Sequence, residues 1–411
     1  MKLSHFIYAS IAVLMLSACS EADTPMQPTE NLSSASIRTE KEAMEIAESL
    51  PAIFGNDESR ATKACSEVIT IKRNARSSEQ STIYAVNYED GEGFALIAGV
   101  KSVDPVLAYV EKGSYSDDID NPGFLLFMEK AVDYLESQPM NSISEIPADR
   151  PITTTVTIPS RILVDWGQEY PEGIYCSNQL AGCAQTAEAM ILTYTRPISS
   201  IQLYYPDRDI ECQELDWSKI IQHTTSCTNL EKRGHIQQCN AETGVHAAIG
   251  RLCRELGRRN NSKYDSDVTS TTNSEIYNAY KALAPNKISP YEKFETGGAL
   301  YNSLNQKECV ALVFGEINII DQDTTKVNHY WICDGGKCAT TTSKMPLIDG
   351  TIETRITKRY YYHYNWGWCG ECNGYFTDDV FDVTLDNSRN GGFFGDIGQI
   401  DNSTKYYLIS K

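Results

Sequence analysis

Three short segments with catalytic side chains lie so far apart in this chain that only a compact fold can bring them together. They are Gly182-Cys183 before a predicted helix, His329 at the head of an apolar run, and Asn365 in an Asn-Trp-Gly-Trp sequence. His329 and Asn365 follow Cys183 by 146 and 182 residues. A thiol, an imidazole and an amide in contact form the nucleophile, base and orienting group of a Cys-His-Asn hydrolase. The fold must therefore join a helix that begins near Cys183 to strands that carry the other two residues.

The residues after Gly182 predict that Cys183 lies in the first turn of an amphipathic helix. Apolar side chains recur at helical spacing from Ala184 to Tyr194, with polar side chains largely on the other face. A helix N-terminus stabilises a thiolate, and a neighbouring imidazolium lowers the thiol pKa further. Taken alone, Cys183 fits a buried or disulfide-bonded cysteine better, and the partner residues favour the catalytic interpretation.

Two more residues complete the candidate site. Gln168, which follows Asp-Trp-Gly shortly before the helix, could form an oxyanion hole together with the backbone N–H of Cys183. Trp366 could exclude water from a hydrogen bond between Asn365 and His329. Each residue type is common in ordinary cores and turns, so only the combination predicts a site.

The N-terminal residues have the pattern of an export signal. A basic Lys2 precedes the apolar run 3–16, which is too short to cross a bilayer. The sequence Leu-Ser-Ala-Cys that ends at Cys19 resembles a bacterial lipobox, in which the cysteine is lipidated. We therefore expect a lipoprotein signal peptide over residues 1–18, lipid on Cys19 and a polar tether over 19–38. The alternative is an ordinary signal peptide cleaved nearby.

This signal predicts an exported protein, anchored by lipid at the bacterial outer membrane or cell surface and open to release by processing. The formal net charge is −19, with acidic residues spread along the chain, which opposes nucleic acid and anionic membranes as partners. The lipid is then the expected contact with a membrane, and we expect a monomer.

The thirteen cysteines predict several disulfides. After Cys19 is set aside for lipid, another for catalysis and Cys65 as part of the N-terminal region, ten remain, and an exported protein meets an oxidising environment. The close pairs Cys333 with Cys338 and 369 with 372 leave a four-thiolate zinc site as a weaker alternative. We expect no metal and no cofactor.

Apolar periodicity divides the remaining chain into two units. Residues 39–140 predict a small α+β domain with a helix at each end and strands between. Residues 141–159 hold three prolines among Ser and Thr, which predicts an exposed linker and a natural processing region. Residues 160–411 predict an α+β enzyme domain with helices first (182–195, 243–256 and 272–283) and antiparallel strands after (309–314, 330–333, 359–366 and 374–376).

Taken together, these segments resemble the streptopain family of cysteine peptidases. The matching motifs are Gly182-Cys183-Ala184 for its nucleophile helix, residues 329–335 for its histidine strand, residues 363–368 for its Asn-Trp segment, Trp166-Gly167-Gln168 for its oxyanion segment, and residues 93–97 and 105–109 for its pro-domain. The chain departs from the family at Cys369, where a glycine is usual, and over residues 204–239, which have no recognisable counterpart.

The resemblance implies a papain-like fold in two parts, a helical half with Cys183 and an antiparallel sheet half with His329 and Asn365, behind an inhibitory pro-domain. It implies Cys183 as the nucleophile, His329 as general base and acid, Asn365 to orient the imidazole, Trp366 to shield that contact and Gln168 to stabilise the oxyanion. Peptides and proteins would be the substrates, and the chain's own pro-domain its intramolecular inhibitor.

Two other functions use the same scaffold. A thiol transpeptidase or transglutaminase-like acyl transferase would pass the thioester to an amine instead of water. A catalytically silent surface-binding protein would need no intact site. The presence of Cys183, His329, Asn365 and Gln168 opposes the silent scaffold and favours a secreted cysteine endopeptidase made as a zymogen.

Overall fold

The computed structural model of the chain describes residues 37–55, 63–72, 82–138, 152–169, 171–207, 209–226, 243–266, 268–320, 324–346, 351–381 and 404–411. The predicted signal peptide, Cys19 and residues 139–151 of the predicted linker lie outside these residues. Within the described ranges, no helix combines the length and the apolar character needed to span a bilayer.

The N-terminal unit is the small α+β domain that the sequence predicts. Its elements are α1 (Glu40–Ser49), α2 (Pro51–Phe54), β1 (Cys65–Ile71), β2 (Ile83–Tyr88), β3 (Phe94–Ala98), β4 (Val106–Val110) and α3 (Pro122–Ser137). Helix α1 begins with a capping box between Thr39 and Glu42. Helix α3 begins where the Asn121 side chain accepts hydrogen bonds from two backbone N–H groups of its first turn.

The C-terminal unit has its helices first and its long strands after, as predicted. The helices are α4 (Cys183–Thr195), α5 (Trp217–Ser226), α6 (Thr243–Arg259), α7 (Asn273–Leu283) and α8 (Ala299–Lys307). The strands are β5 (Ile152–Ile158), β6 (Ser200–Leu203), β7 (Glu211–Glu214), β8 (Lys263–Tyr264), β9 (Thr269–Ser270), β10 (Glu292–Lys293), β11 (Cys309–Ile320), β12 (Thr324–Pro346), β13 (Ile352–Asn365), β14 (Gly374–Thr377) and β15 (Lys405–Ser410).

The end of the predicted linker is a strand rather than an irregular segment. Strand β5 pairs antiparallel with β12, with Ile158 opposite Gly336 and Thr154 opposite Thr340. Its sequence is a run of β-branched residues, which suits an extended backbone. The prolines that suggested a linker flank this run, so the described part of residues 141–159 belongs to the sheet.

One antiparallel sheet runs through both units. Its strand order is β1-β2-β3-β4-β14-β13-β12-β11-β15-β10, with β5 beside β12. The junction lies between β4 and β14, where Val110 pairs with Gly374 and Ala108 with Phe376. The N-terminal domain therefore extends the sheet of the C-terminal domain by strand addition.

Strand β12 separates two apolar cores, because successive side chains of a strand point to opposite faces. Tyr330 and Ile332 pack with Met190 of α4 in one core. Trp331 packs with Phe127 of α3 in the other. The helix that begins at Cys183 and the last helix of the N-terminal domain thus cover opposite faces of the same strand.

The prediction of several disulfides is not met in the described part of the chain. All ten described cysteines are free thiols. They are distributed over separate environments: Cys253 lies in the helical core, Cys333 and Cys372 in the core of the sheet's other face, and Cys212 is exposed. No group of three or more His, Cys, Asp and Glu suited to a metal occurs among the described residues.

Candidate active site

Cys183 occupies the N-terminus of α4, as the sequence predicts. The helix follows Gly182, whose positive φ of 92° is a backbone conformation that residues other than glycine rarely adopt. Backbone N–H groups of Cys183, Ala184 and Tyr330 stabilise the sulfur as a thiolate, but burial outweighs them and raises the pKa of the thiol. In this arrangement Cys183 is a neutral thiol at neutral pH.

The His329 ring is buried and held by a backbone oxygen. Nε2 lies 2.7 Å from the carbonyl oxygen of Trp366. Since a carbonyl only accepts hydrogen bonds, Nε2 carries the proton and Nδ1 has a free lone pair. Burial lowers the pKa of His329 to about 4, so the ring is neutral at neutral pH. Trp331 and Trp368 flank it, with ring centroids 6.4 and 6.2 Å away.

The backbone next to His329 lies beside the Cys183 thiol, but the His329 ring points towards α3. The sulfur of Cys183 meets the backbone of Tyr330, the next residue along β12. The His329 ring lies instead against α3, where a Cβ added to Gly123 would be 2.7 Å from its Cδ2. Burial is the largest cause of both pKa shifts: it raises the pKa of Cys183 and lowers that of His329. The thiol packs on the α4 side of β12, whereas the imidazole lies on the α3 side beside Trp331.

The Asn365 side chain does not contact the imidazole directly in this form, and its role in orienting His329 stays a prediction. Its amide nitrogen donates to the carbonyl oxygen of Val164 at 3.0 Å and to Asp165 at 3.3 Å. Its Oδ1 accepts the N–H of Gly367 at 3.1 Å. The chain turns after Asn365, where Gly367 has a φ of 68°, and this turn presents the Trp366 carbonyl to the ring instead.

Trp366 and Gln168 both lie at the site. The Trp366 indole is fully buried beside the imidazole and donates to the carbonyl oxygen of Cys372 at 2.9 Å. The backbone around Gln168 is tied to both sides of Cys183, because Ala181 donates to the Gln168 carbonyl at 2.7 Å and Thr186 to the Gly167 carbonyl at 3.0 Å. The segment before α4 is thus fixed against the helix N-terminus.

Sequence reasoning missed a buried charge cluster next to the site. Asp334 accepts hydrogen bonds from the Ser160 hydroxyl and from the backbone of 161 and 162, and its Oδ1 lies 2.6 Å from Nδ1 of His363. His363 alternates with tyrosines along β13, a pattern that by itself predicts packing rather than a charge. The available signal was Asp334 itself, an acidic residue directly after the apolar run of the histidine strand, where a buried carboxylate requires a partner.

The N-terminal domain also contacts the loop that carries Trp366. The Asn121 side chain, which caps α3, donates to the carbonyl oxygen of Glu371 at 2.8 Å. Asp120 accepts from the Trp368 indole at 3.2 Å. Gly123 lies against the imidazole as well. These contacts place the start of α3 over His329 and the loop that carries Trp366.

Comparisons with known proteins agree with this arrangement. Residues 165–376, more than half of the chain, match the Peptidase C10 family, and residues 35–134 match the Spi protease inhibitor family. No curated protein matches the chain. A prointerpain A fragment from Prevotella intermedia, a mutant form, is 15% identical over 84% of this chain and 98% of its own, with a TM-score of 0.52.

The active wild-type interpain A cysteine protease of the same species is 14% identical over 61% of this chain and 94% of its own, with a TM-score of 0.37. The likeness to the prointerpain A fragment shows a shared fold. It confirms the predicted architecture, a two-part α+β domain of papain type behind an N-terminal pro-domain.

Proposed function

The chain belongs to the peptidase C10 family of cysteine peptidases, and from this premise we propose that it is a secreted zymogen whose Cys183 hydrolyses peptide bonds once the pro-domain leaves. The observation that carries the proposal is the position of α3. Its first turn lies against the His329 ring, on the face of β12 opposite to the half-buried thiol of Cys183. A pro-domain that holds the imidazole in this position would keep the peptidase inactive.

The chemistry follows from the two side chains once α3 no longer covers the ring. Nδ1 of His329 takes the proton of the Cys183 thiol, and the sulfur attacks the substrate carbonyl carbon. The oxyanion receives hydrogen bonds from the Cys183 N–H and the Gln168 side chain. The imidazolium then protonates the leaving amine, which gives a thioester, and Nδ1 activates the water that releases the acid.

The same contacts indicate how the pro-domain inhibits. Strand β4 continues the sheet at β14, and α3 covers Trp366 and the ring of His329. Strand β5 pairs with β12 of the catalytic domain. We therefore infer that processing occurs before Ile152, so that β5 stays with the mature enzyme while β1–β4 and α1–α3 depart.

We also propose that the protein is exported and lipid-anchored at Cys19, on the strength of its lipobox-like sequence. Fatty acid with an alkyne label, supplied to a bacterial host, should be incorporated into the parent. Cys19→Ala should abolish that incorporation and release the protein from the membrane fraction. Label retained by the variant would refute lipidation at this position.

A single labelling experiment tests the enzymatic proposal. Residues 20–411 are expressed as the parent, as Cys183→Ala and as the matched control Cys212→Ala, which removes an exposed thiol on β7. Each is treated with a thiol epoxide that reacts at peptidase active sites. We expect maturation and one adduct on Cys183 in the parent and the control, and neither in Cys183→Ala. A parent that neither reacts nor cleaves peptides after removal of the pro-domain would refute the function.

A further inference from the structure

The peptide group between Trp366 and Gly367 is held at both ends. Its carbonyl oxygen accepts from Nε2 of His329 at 2.7 Å, and its N–H donates to Oδ1 of Asn365 at 3.1 Å. The peptide before it is held too, because the N–H of Trp366 donates to Oδ1 of Asn373 at 3.0 Å. Two side-chain amides thus fix the loop that presents an acceptor to the imidazole.

One carboxylate oxygen holds both amides. Oδ1 of Asp165 accepts from Nδ2 of Asn373 at 3.0 Å and from Nδ2 of Asn365 at 3.3 Å. The loop also packs on this carboxylate, since a Cβ added to Gly370 would lie 3.1 Å from it. Asp165 stands three residues before Gln168, so a single side chain connects the oxyanion segment with the histidine loop.

Backbone N–H groups can only donate hydrogen bonds, so those of Trp366 and Gly367 set the direction of the other bonds in the network. Both amides must turn their nitrogen atoms towards Asp165 and their oxygen atoms towards the backbone N–H groups. With the peptides so fixed, the Trp366 carbonyl faces Nε2 of His329. That acceptor keeps the proton on Nε2 and the lone pair on Nδ1.

We propose that Asp165 is a positioning residue for the peptidase reaction. Through Asn365 and Asn373 it holds the Trp366 carbonyl in place, and through that carbonyl it selects the imidazole tautomer that can take a proton from Cys183. Asn365 therefore orients His329 through the Trp366–Gly367 peptide group. The inference rests on the proposed roles of Cys183 and His329.

The kinetics of the enzyme that is matured from the full-length chain test the proposal. Asp165→Ala, matured by a trace of the parent enzyme, should lose about tenfold or more in kcat, the equivalent of one buried hydrogen bond, with KM within about twofold. Asp165→Asn keeps an oxygen that accepts from both amides and should restore kcat to within about threefold of the parent. Asp216→Ala, at an exposed carboxylate before α5, should match the parent.

A second measurement determines the tautomer of His329 and does not require enzymatic activity. In the full chain with Cys183→Ala, nitrogen-15 NMR should show His329 protonated on Nε2. Adding Asp165→Ala should give a mixture of tautomers, and Asp165→Asn should not.

Each outcome separates the inference from the proposed function. A parent without Cys183-dependent activity refutes the function, while the NMR experiment still reports on the network. An active parent with an equally active Asp165→Ala, or with a raised KM at unchanged kcat, overturns the positioning role. Equal losses in Asp165→Asn and Asp165→Ala, or an unchanged tautomer in Asp165→Ala, overturn it as well.

Discussion

Glu111 of the pro-domain lies 3.5 Å from Nε2 of His363 in the catalytic domain, whose Nδ1 is 2.6 Å from Asp334. One buried imidazole is therefore shared by carboxylates from two domains. Burial alone would lower the pKa of His363, but the two carboxylates raise it to about 10. The ring is a cation at neutral pH. Glu111 therefore forms an ion pair with it across the interface between the pro-domain and the catalytic domain.

The first prediction is that docking of the pro-domain depends on pH through this ion pair. The pKa of Glu111 lies below its ordinary 4.5, so its stabilising contribution is present above that pH and is lost as the pH falls through the lowered value. The pKa of His363 is raised from 6.5 to about 10, so its contribution is complete below 6.5 and is lost as the pH rises towards 10. Thermal unfolding of the Cys183→Ala chain should therefore show the greatest stability between pH 4.5 and pH 6.5, where both contributions are complete.

Glu111→Gln should weaken this profile, because the neutral amide cannot form the ion pair. The matched control is Glu89→Gln, which changes an exposed carboxylate of the same domain. If Glu111→Gln keeps the parent's full pH dependence, the interdomain pair does not contribute to docking.

The second prediction concerns Gly123, the point where α3 meets the imidazole. Gly123→Ala places a methyl group 2.7 Å from Cδ2 of His329 and still closer to the Trp366 indole, so one partner must move. We expect a poorly seated pro-domain, measured as faster maturation and as peptide hydrolysis by the unprocessed chain. Gly244→Ala is the control, since its methyl group would meet no atom within 4 Å. Equal maturation rates for Gly123→Ala and the parent would contradict the inhibitory role of this contact.

The sequence predicted the position of Cys183 because helical periodicity and the preceding glycine are local signals. The direction of Asn365 was not predictable from such signals. Its side chain points to Val164 and Asp165, which lie two hundred residues earlier, and the positive φ of Gly367 turns the next carbonyl to the ring. That arrangement depends on tertiary contacts and on a backbone turn that glycine permits but does not require.

The long strands and the charge cluster escaped prediction for related reasons. The outer part of β12 is rich in Thr and Lys and lacks the apolar run by which strands are recognised. Asp334 lies at a register shift in the pairing of β12 with β13, between Cys333 and Gly335. An irregularity of this kind redirects a side chain, here towards His363, and its place depends on the partner strand.

The third prediction is that Asp334 is a major source of stability in the catalytic domain. Its buried carboxylate holds His363 and the backbone of residues 161 and 162, and the pKa of Asp334 is lowered because His363 and Ser160 outweigh burial. Asp334→Ala leaves a buried cation without its main partner and should cost about 3–5 kcal/mol of unfolding free energy. Urea unfolding of the Cys183→Ala chain measures this loss.

A double variant separates the ion pair from the packing around it. Asp334→Ala combined with His363→Gln removes the cation as well, so it should be destabilised by less than the sum of the two single changes. Additive losses would show that Asp334 stabilises the fold through the 160–162 backbone alone.

The last prediction follows from the neutral state of both reacting groups. In the uncleaved chain, burial raises the pKa of Cys183 above its ordinary 9.0 and lowers that of His329 to about 4, so the reactive thiolate is scarce at neutral pH. In the processed enzyme, a thiolate paired with the imidazolium should stay reactive in mildly acidic solution. Iodoacetamide should therefore modify Cys183 slowly in the full-length chain, with a rate that rises into alkaline solution, and rapidly in the processed chain at about pH 6.

Mass spectrometry of one partly matured sample compares the two forms under identical conditions, because they differ in length. The exposed Cys212 on β7 serves as the internal reference, and its alkylation at a given pH should be equal in the two forms. Equal alkylation of Cys183 in both forms at about pH 6 would mean that the imidazole already activates the thiol beneath the pro-domain. A difference confined to Cys183 would instead place the control of this enzyme in the contact between α3 and His329.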